Sequence, residues 1–274
     1  SMSTIEISAA NKENLLKEFK KYYDNSRSGN AATYKTYVMT AKNPNSLLAL
    51  ANLLKKNNIQ YGTYSGKFTG FDYATRKEGS FVNEGYALAV NVAQAHGILA
   101  RVLLEPVTQV NDSNTYDITA WSIPYAYGLN AVASTSLVPS KPYNANKNET
   151  SVQSDAVGYI THWNSLNNAK FLAALLKQGF KVRFTEKPFE NNGENFDRGS
   201  LIITKGDNKN MNTFDATLGE IASSFNVKLT STTTGFAKRG PDFGSPDIKL
   251  VNKQKIAILS FQTRITVYGS DNTL

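Results

Sequence analysis

One apolar strand–helix–strand pattern occurs twice in this chain, about 120 residues apart, and that repetition limits the fold more than any other feature. The first copy runs from Tyr37-Val38-Met39-Thr40 through Ser46 to Lys55 and on to Ile59-Gln60-Tyr61. The second runs from Gly158-Tyr159-Ile160-Thr161 through Leu166 to Lys177 and on to Phe180-Lys181-Val182. A further short strand follows each copy (Tyr86 to Val90; Ser200 to Thr204), and then a second helical stretch. Strands alternating with helices at these spacings predict an α/β fold: two duplicated βαβ-containing units forming two lobes with largely parallel sheets. The expected boundaries are an N-terminal helix and loop over 1–33, a first α/β unit over 34–136, a linker over 137–155, a second α/β unit over 156–259 and a tail over 260–274. The linker reading rests on the Pro, Ser, Asn and Lys content of that stretch and its lack of large apolar residues.

Local signals support the element boundaries. Leu15, Leu16, Phe19, Tyr22 and Tyr23 share one face of a helix over 11–23. Asn43-Pro44-Asn45-Ser46 supplies a turn and an N-cap for a helix that buries Leu47, Leu50, Leu53 and Leu54. Ser165 caps the matching helix of the second copy, whose apolar face is read as Leu166, Ala169, Leu172, Ala173 and Leu176, and Gly179 ends it. Residues 66–85 predict a hairpin or loop, and Asn191-Asn192-Gly193 a tight turn between Phe189 and Phe196.

The net charge of +8 is spread along the chain. Its densest basic group, Lys12 to Lys21, alternates with Glu13 and Glu18 as a solvated helix face would, so no nucleic-acid partner is expected. No apolar run approaches the roughly 18 residues a membrane span requires. With no cysteine there are no disulfides, thiolate metal sites or Cys nucleophile. That composition suits an exported protein folding without disulfides. Ser1 before Met2 reads as a cloning remnant, with the expectation that a leader has been removed.

Chemistry-bearing patterns are scarce. The two histidines, His96 and His162, stand in no H-x-x-E or H-E-x-x-H pattern, so no metal and no cofactor is expected. No G-x-S-x-G elbow, G-x-G-x-x-G or Walker loop is present. Glu194 and Asp197 read as turn and surface carboxylates. The candidates for ligand contact are Asp117, Trp121, Tyr125 and Tyr127 in the aromatic segment Tyr116 to Gly128, which suits a binding groove or a packed junction. Arg239 and Asp242, in the turn-rich loop Arg239 to Ser245, are the others, since such a loop can present N–H groups to an anion.

Three segments carry a resemblance: Tyr116 to Gly128, Ala169 to Arg183 and Phe196 to Thr204. They resemble stretches that follow the peptidase domain in large zinc-carboxypeptidase-like proteins of the Bacteroidetes type. There, duplicated α/β units lie between a metallocarboxypeptidase domain and a region resembling class I glutamine amidotransferases. The resemblance spans about Tyr34 to Leu259. It implies a non-catalytic accessory region of a periplasmic or secreted protein, with the parent's peptidase domain as partner. The peptidase's H-x-x-E pair and the amidotransferase's cysteine have no counterpart here. A stand-alone module binding a peptide or glycan between two lobes is the alternative.

Overall fold

A computed structural model describes residues 2–30, 32–83, 85, 87–107, 122–144, 152–253, 257–261 and 264–268. The chain divides into two compact units, residues 1–147 and 148–274.

The first unit opens with helices α1 (Met2–Ala10) and α2 (Lys12–Ser28), a longer helical start than the sequence predicts. Strand β1 (Thr36–Thr40), helix α3 (Pro44–Lys56) and strand β2 (Gly62–Thr63) follow. A hairpin, β3 (Gly66–Asp72) with β4 (Lys77–Asn83), precedes β5 (Leu88–Asn91). Helices α4 (Gly97–Leu104) and α5 (Ile123–Ala126) lead to β6 (Asn130–Ser134) and β7 (Lys141–Pro142), the last inside the stretch read as linker. The sheet order is β4-β3-β6-β1-β5-β2-β7.

The second unit repeats the series. It comprises β8 (Gly158–Thr161), α6 (Leu166–Lys177), β9 (Arg183–Thr185), a hairpin of β10 (Phe189–Asn191) and β11 (Glu194–Phe196), then β12 (Leu201–Thr204), α7 (Phe214–Ser224), β13 (Thr230–Thr232) and β14 (Ile248–Leu250). Its sheet order is β13-β8-β12-β9-β14. A last pair, β15 (Ala257–Phe261) and β16 (Arg264–Tyr268), forms a separate two-stranded sheet.

The expectation of largely parallel sheets is therefore overturned, because every strand pair among the described residues is antiparallel. In each unit the strands flanking the first helix do not pair with each other. β5 runs between β1 and β2, and β12 between β8 and β9. This is the split β-α-β arrangement, β-α-β-β-α-β, with a hairpin inserted mid-way and an extra edge strand. The misleading signal was the run Leu88-Ala89-Val90, buried throughout, like Leu201-Ile202-Ile203. Continuous apolar runs report burial on both sheet faces, which parallel sheets usually have. Here both faces are covered by other means. Helices cover one. On the other face of the first unit the segment after β6 is tied down, with Thr36 Oγ1 donating to the Ser136 carbonyl (3.0 Å) and Asn91 Nδ2 to that of Val138 (3.1 Å). In the second unit Phe189, Phe196 and Phe243 pack against Ile160, Ile202 and Ile248.

The two units also match in detail. Asn43 and Ser165 cap α3 and α6, accepting from the Asn45 and Asn168 N–H groups. Both helices end on a residue of positive φ, Asn58 (53°) and Gly179 (85°), and the next residue bonds back (Ile59 N–H to Leu54 O, Phe180 N–H to Leu175 O, both 3.0 Å). The connection into the second strand is then clamped by a buried amide. Gln94 accepts from the Gln60 N–H (2.6 Å) and donates to the Gln60 carbonyl (2.9 Å). Asn208 does the same to Lys181, at 2.8 and 3.0 Å. Tyr37 and Tyr159 occupy matching helix-facing positions of β1 and β8, both fully buried.

Candidate functional site

An apolar concavity lies in the second unit, along β9 between the end of β8 and the edge strand β14. Its volume is about 360 Å³, and Trp163, Leu172, Phe184, Gly199, Leu201, Leu250, Val251 and Asn252 line it. The helix capped by Ser165 buries Asn168, Phe171 and Leu175 against the sheet. The apolar face read from the sequence is thus displaced by one position, and Leu166 is left 70% exposed. Leu172, one residue beyond the buried face, forms one cleft wall. Gly199 (φ 88°) turns the chain into β12, its N–H donating to the Thr185 carbonyl at 2.8 Å, and Trp163 lies over it. Leu250 closes the cleft from β14, the edge strand. Trp163 and Leu250 are 44% and 46% exposed, so carbon surface is presented to solvent on both sides. Asn252 and the indole N–H of Trp163 are the polar side-chain groups of the lining. Such a site can bury an apolar group of the size ordinary ligand pockets accept, and it offers no acid, base or nucleophile.

Polar networks around the sheet hold this frame. Arg183 donates to Asp207 through two nitrogens (2.7 and 2.8 Å), and Thr204 adds a third bond at 2.8 Å. The Arg183 bonds, against the opposing effect of burial, hold the Asp207 carboxyl below the usual range. Glu194 accepts from Thr230 Oγ1 (2.8 Å) and Lys228 Nζ (3.1 Å) and lies 3.2 Å from His162 Nε2. Burial pushes Glu194 upward, but these bonds outweigh it and the net direction is down. The His162 ring stacks on Phe196 at 5.0 Å, so this histidine ties the β10–β11 hairpin to the sheet. Tyr159 donates to Asp215 (2.9 Å), which pairs with Lys205 (2.8 Å); burial first, then Asp215, raises the phenol's pKa. Among the described residues no three His, Asp or Glu side chains converge as metal ligands.

The first unit carries a second groove of about 460 Å³ beside the β3–β4 hairpin. Tyr64, Phe68 and Phe81 form its aromatic wall in successive ring contacts of 5.6 and 5.8 Å, facing Leu137 and Pro139.

The residues singled out from the sequence fall elsewhere. Asp117 and Trp121 lie outside the described residues. Tyr125 and Tyr127 belong to α5 and its cap in the first unit. Tyr125 donates to the Tyr73 carbonyl (3.0 Å), and Tyr127 packs on the core. Arg239 and Asp242 share one loop of the second unit. Arg239 pairs with Glu190 at 3.8 Å, and Asp242 accepts from the Ala237 N–H at 2.7 Å, so that carboxylate organises its own loop. None of these four lines either concavity. Trp163, Phe184 and Leu250, which line the cleft, are not among them; the signal for them in the sequence is apolar residues in excess of one helix face, close to a tryptophan. No family model, no curated protein and no solved structure matches the chain. No helix among the described residues is long and apolar enough to cross a membrane.

Proposed function

We propose that the chain is a non-catalytic binding region that holds an apolar side chain of an extended polypeptide in the cleft of its second unit. Its setting would be an accessory region of an exported zinc-carboxypeptidase-like protein, packing on the peptidase domain or positioning its substrate. The observation that carries the reading is the cleft itself: a lining of carbon apart from Asn252 and the Trp163 indole nitrogen, with half-exposed Trp163 and Leu250, beside β14, the edge strand of its sheet among the described residues. Strand edges recruit extended peptides through main-chain bonds, and adjoining pockets select their side chains. Intrinsic fluorescence tests it, since the chain has two tryptophans. Short apolar peptides should blue-shift the emission of the wild-type protein, and Trp163→Phe should remove that shift. Unchanged emission at millimolar peptide would sink the proposal. A second reading, a stand-alone small-ligand module for peptide or glycan, is favoured by the aromatic groove of the first unit. Saturable binding of neutral oligosaccharides that Phe68→Ala abolishes would select it.

A further inference from the structure

At one matched pair of positions the two units differ, and the difference falls on the cleft. In the first unit Tyr143 follows β7 and stands opposite Tyr61. The two rings meet edge-to-face at 5.3 Å, and both pack on the core. In the second unit the same register pairs Val251 with Val182, the Val251 N–H donating to the Val182 carbonyl at 2.8 Å. Two aromatic rings in one unit thus correspond to two isopropyl groups in the other. The open cleft lies where Val251 sits, beside Leu172 and Phe184.

We infer that this cleft takes an aromatic side chain from an acidic extended peptide, filling from outside the volume that Tyr143 fills from within its own unit. The inference rests on the peptide-binding reading above and adds the class of residue recognised. An aromatic ring buries about 150–250 Å² and gains further from offset or edge contacts with Trp163 and Phe184. Charge selects the flanking residues. Arg198 and Lys253 are exposed next to lining residues Gly199 and Asn252, and neither has an ion-pair partner among the described residues. Lys249, on β14, is held by Glu186 at 3.0 Å, and Asp197 is the exposed carboxylate of the adjoining turn. Cations therefore outnumber acids around the opening, within a chain of net charge +8.

Calorimetric titration of the intact protein with blocked peptides Glu-Phe-Glu, Glu-Leu-Glu and Glu-Ala-Glu tests this. Glu-Phe-Glu should bind at least about tenfold more tightly than Glu-Ala-Glu and more tightly than Glu-Leu-Glu, weakening as salt rises. Val251→Tyr, which plugs the cleft as Tyr143 does, should abolish binding. Leu250→Glu, a change on the exposed rim, should weaken it about tenfold or more even if the plugged variant folds poorly. Equal affinity for all three peptides would overturn the aromatic preference and leave the peptide-binding reading standing. Absence of binding by every peptide would overturn both. Unaltered Glu-Phe-Glu binding in both variants would place the peptide at another site.

Discussion

Replacing Asn208 with alanine tests the element that the two units share most closely. The side chain is 5% exposed and makes three hydrogen bonds: it accepts from the Lys181 N–H (2.8 Å) and donates to the carbonyls of Lys181 (3.0 Å) and Thr204 (2.9 Å). Truncation leaves one N–H and two carbonyls without partners. Each fully buried orphan costs about 1–3 kcal/mol. Water reaches part of this connection, because the Lys181 side chain is exposed, so the expected loss is about 2–4 kcal/mol. For a unit of this size that lowers Tm by on the order of 10 °C. Gln94→Ala removes the matching clamp, with bonds to the Gln60 N–H (2.6 Å), the Gln60 carbonyl (2.9 Å) and the Asn91 carbonyl (2.6 Å), and should cost a similar amount. Urea denaturation followed by circular dichroism provides the measurement, with a lower midpoint and an unchanged slope. A loss below about 0.5 kcal/mol in either variant would refute the argument that the amide holds the connection in place.

Three further outcomes follow from the same geometry. Tyr159→Phe deletes a phenol bonded to Asp215 and should cost about 1–2 kcal/mol, whereas Tyr37→Phe, whose buried hydroxyl has no partner among the described residues, should be neutral or stabilising in the same melts. The folded pKa values of Asp207 and Glu194 are each lowered from the group's ordinary carboxylate value, which is about 4. Their contribution is therefore complete above that value and fades as pH falls through the folded values. The urea midpoint should drop below about pH 4, and Asp207→Asn should flatten that limb; parallel profiles for the two proteins would contradict it. Gly240→Ala should destabilise by several kcal/mol, since φ is 84° and a Cβ would sit 2.5 Å from the Pro188 carbonyl oxygen; an unchanged Tm would show that the loop relaxes.

Much of the architecture was legible in the chain. The repeat, the caps at Asn43 and Ser165, the terminating Gly179 and the turn at Asn192-Gly193 are local signals, and the structure has each of them. Strand direction was not legible. It depends on β5 and β12 inserting between the strands that flank the first helix, a long-range choice that leaves no local mark. The run Leu201-Ile202-Ile203 reports two-sided burial and is silent about what covers the second face. The cleft was equally hidden, because its walls come from α6, β9, β12 and β14, far apart in sequence. In the aromatic segment, Tyr125 is half exposed and donates to the Tyr73 carbonyl, and Tyr127 packs on the core.

The claim that the second unit holds an apolar side chain of a peptide is tested most directly by NMR titration of the intact protein with an acidic peptide bearing one phenylalanine. The Trp163 indole N–H and the methyl groups of Leu172, Leu201 and Leu250 should shift together and saturate at one affinity. Shifts confined to Tyr64, Phe68 and Phe81 in the first unit, or no shifts at millimolar peptide, would contradict it.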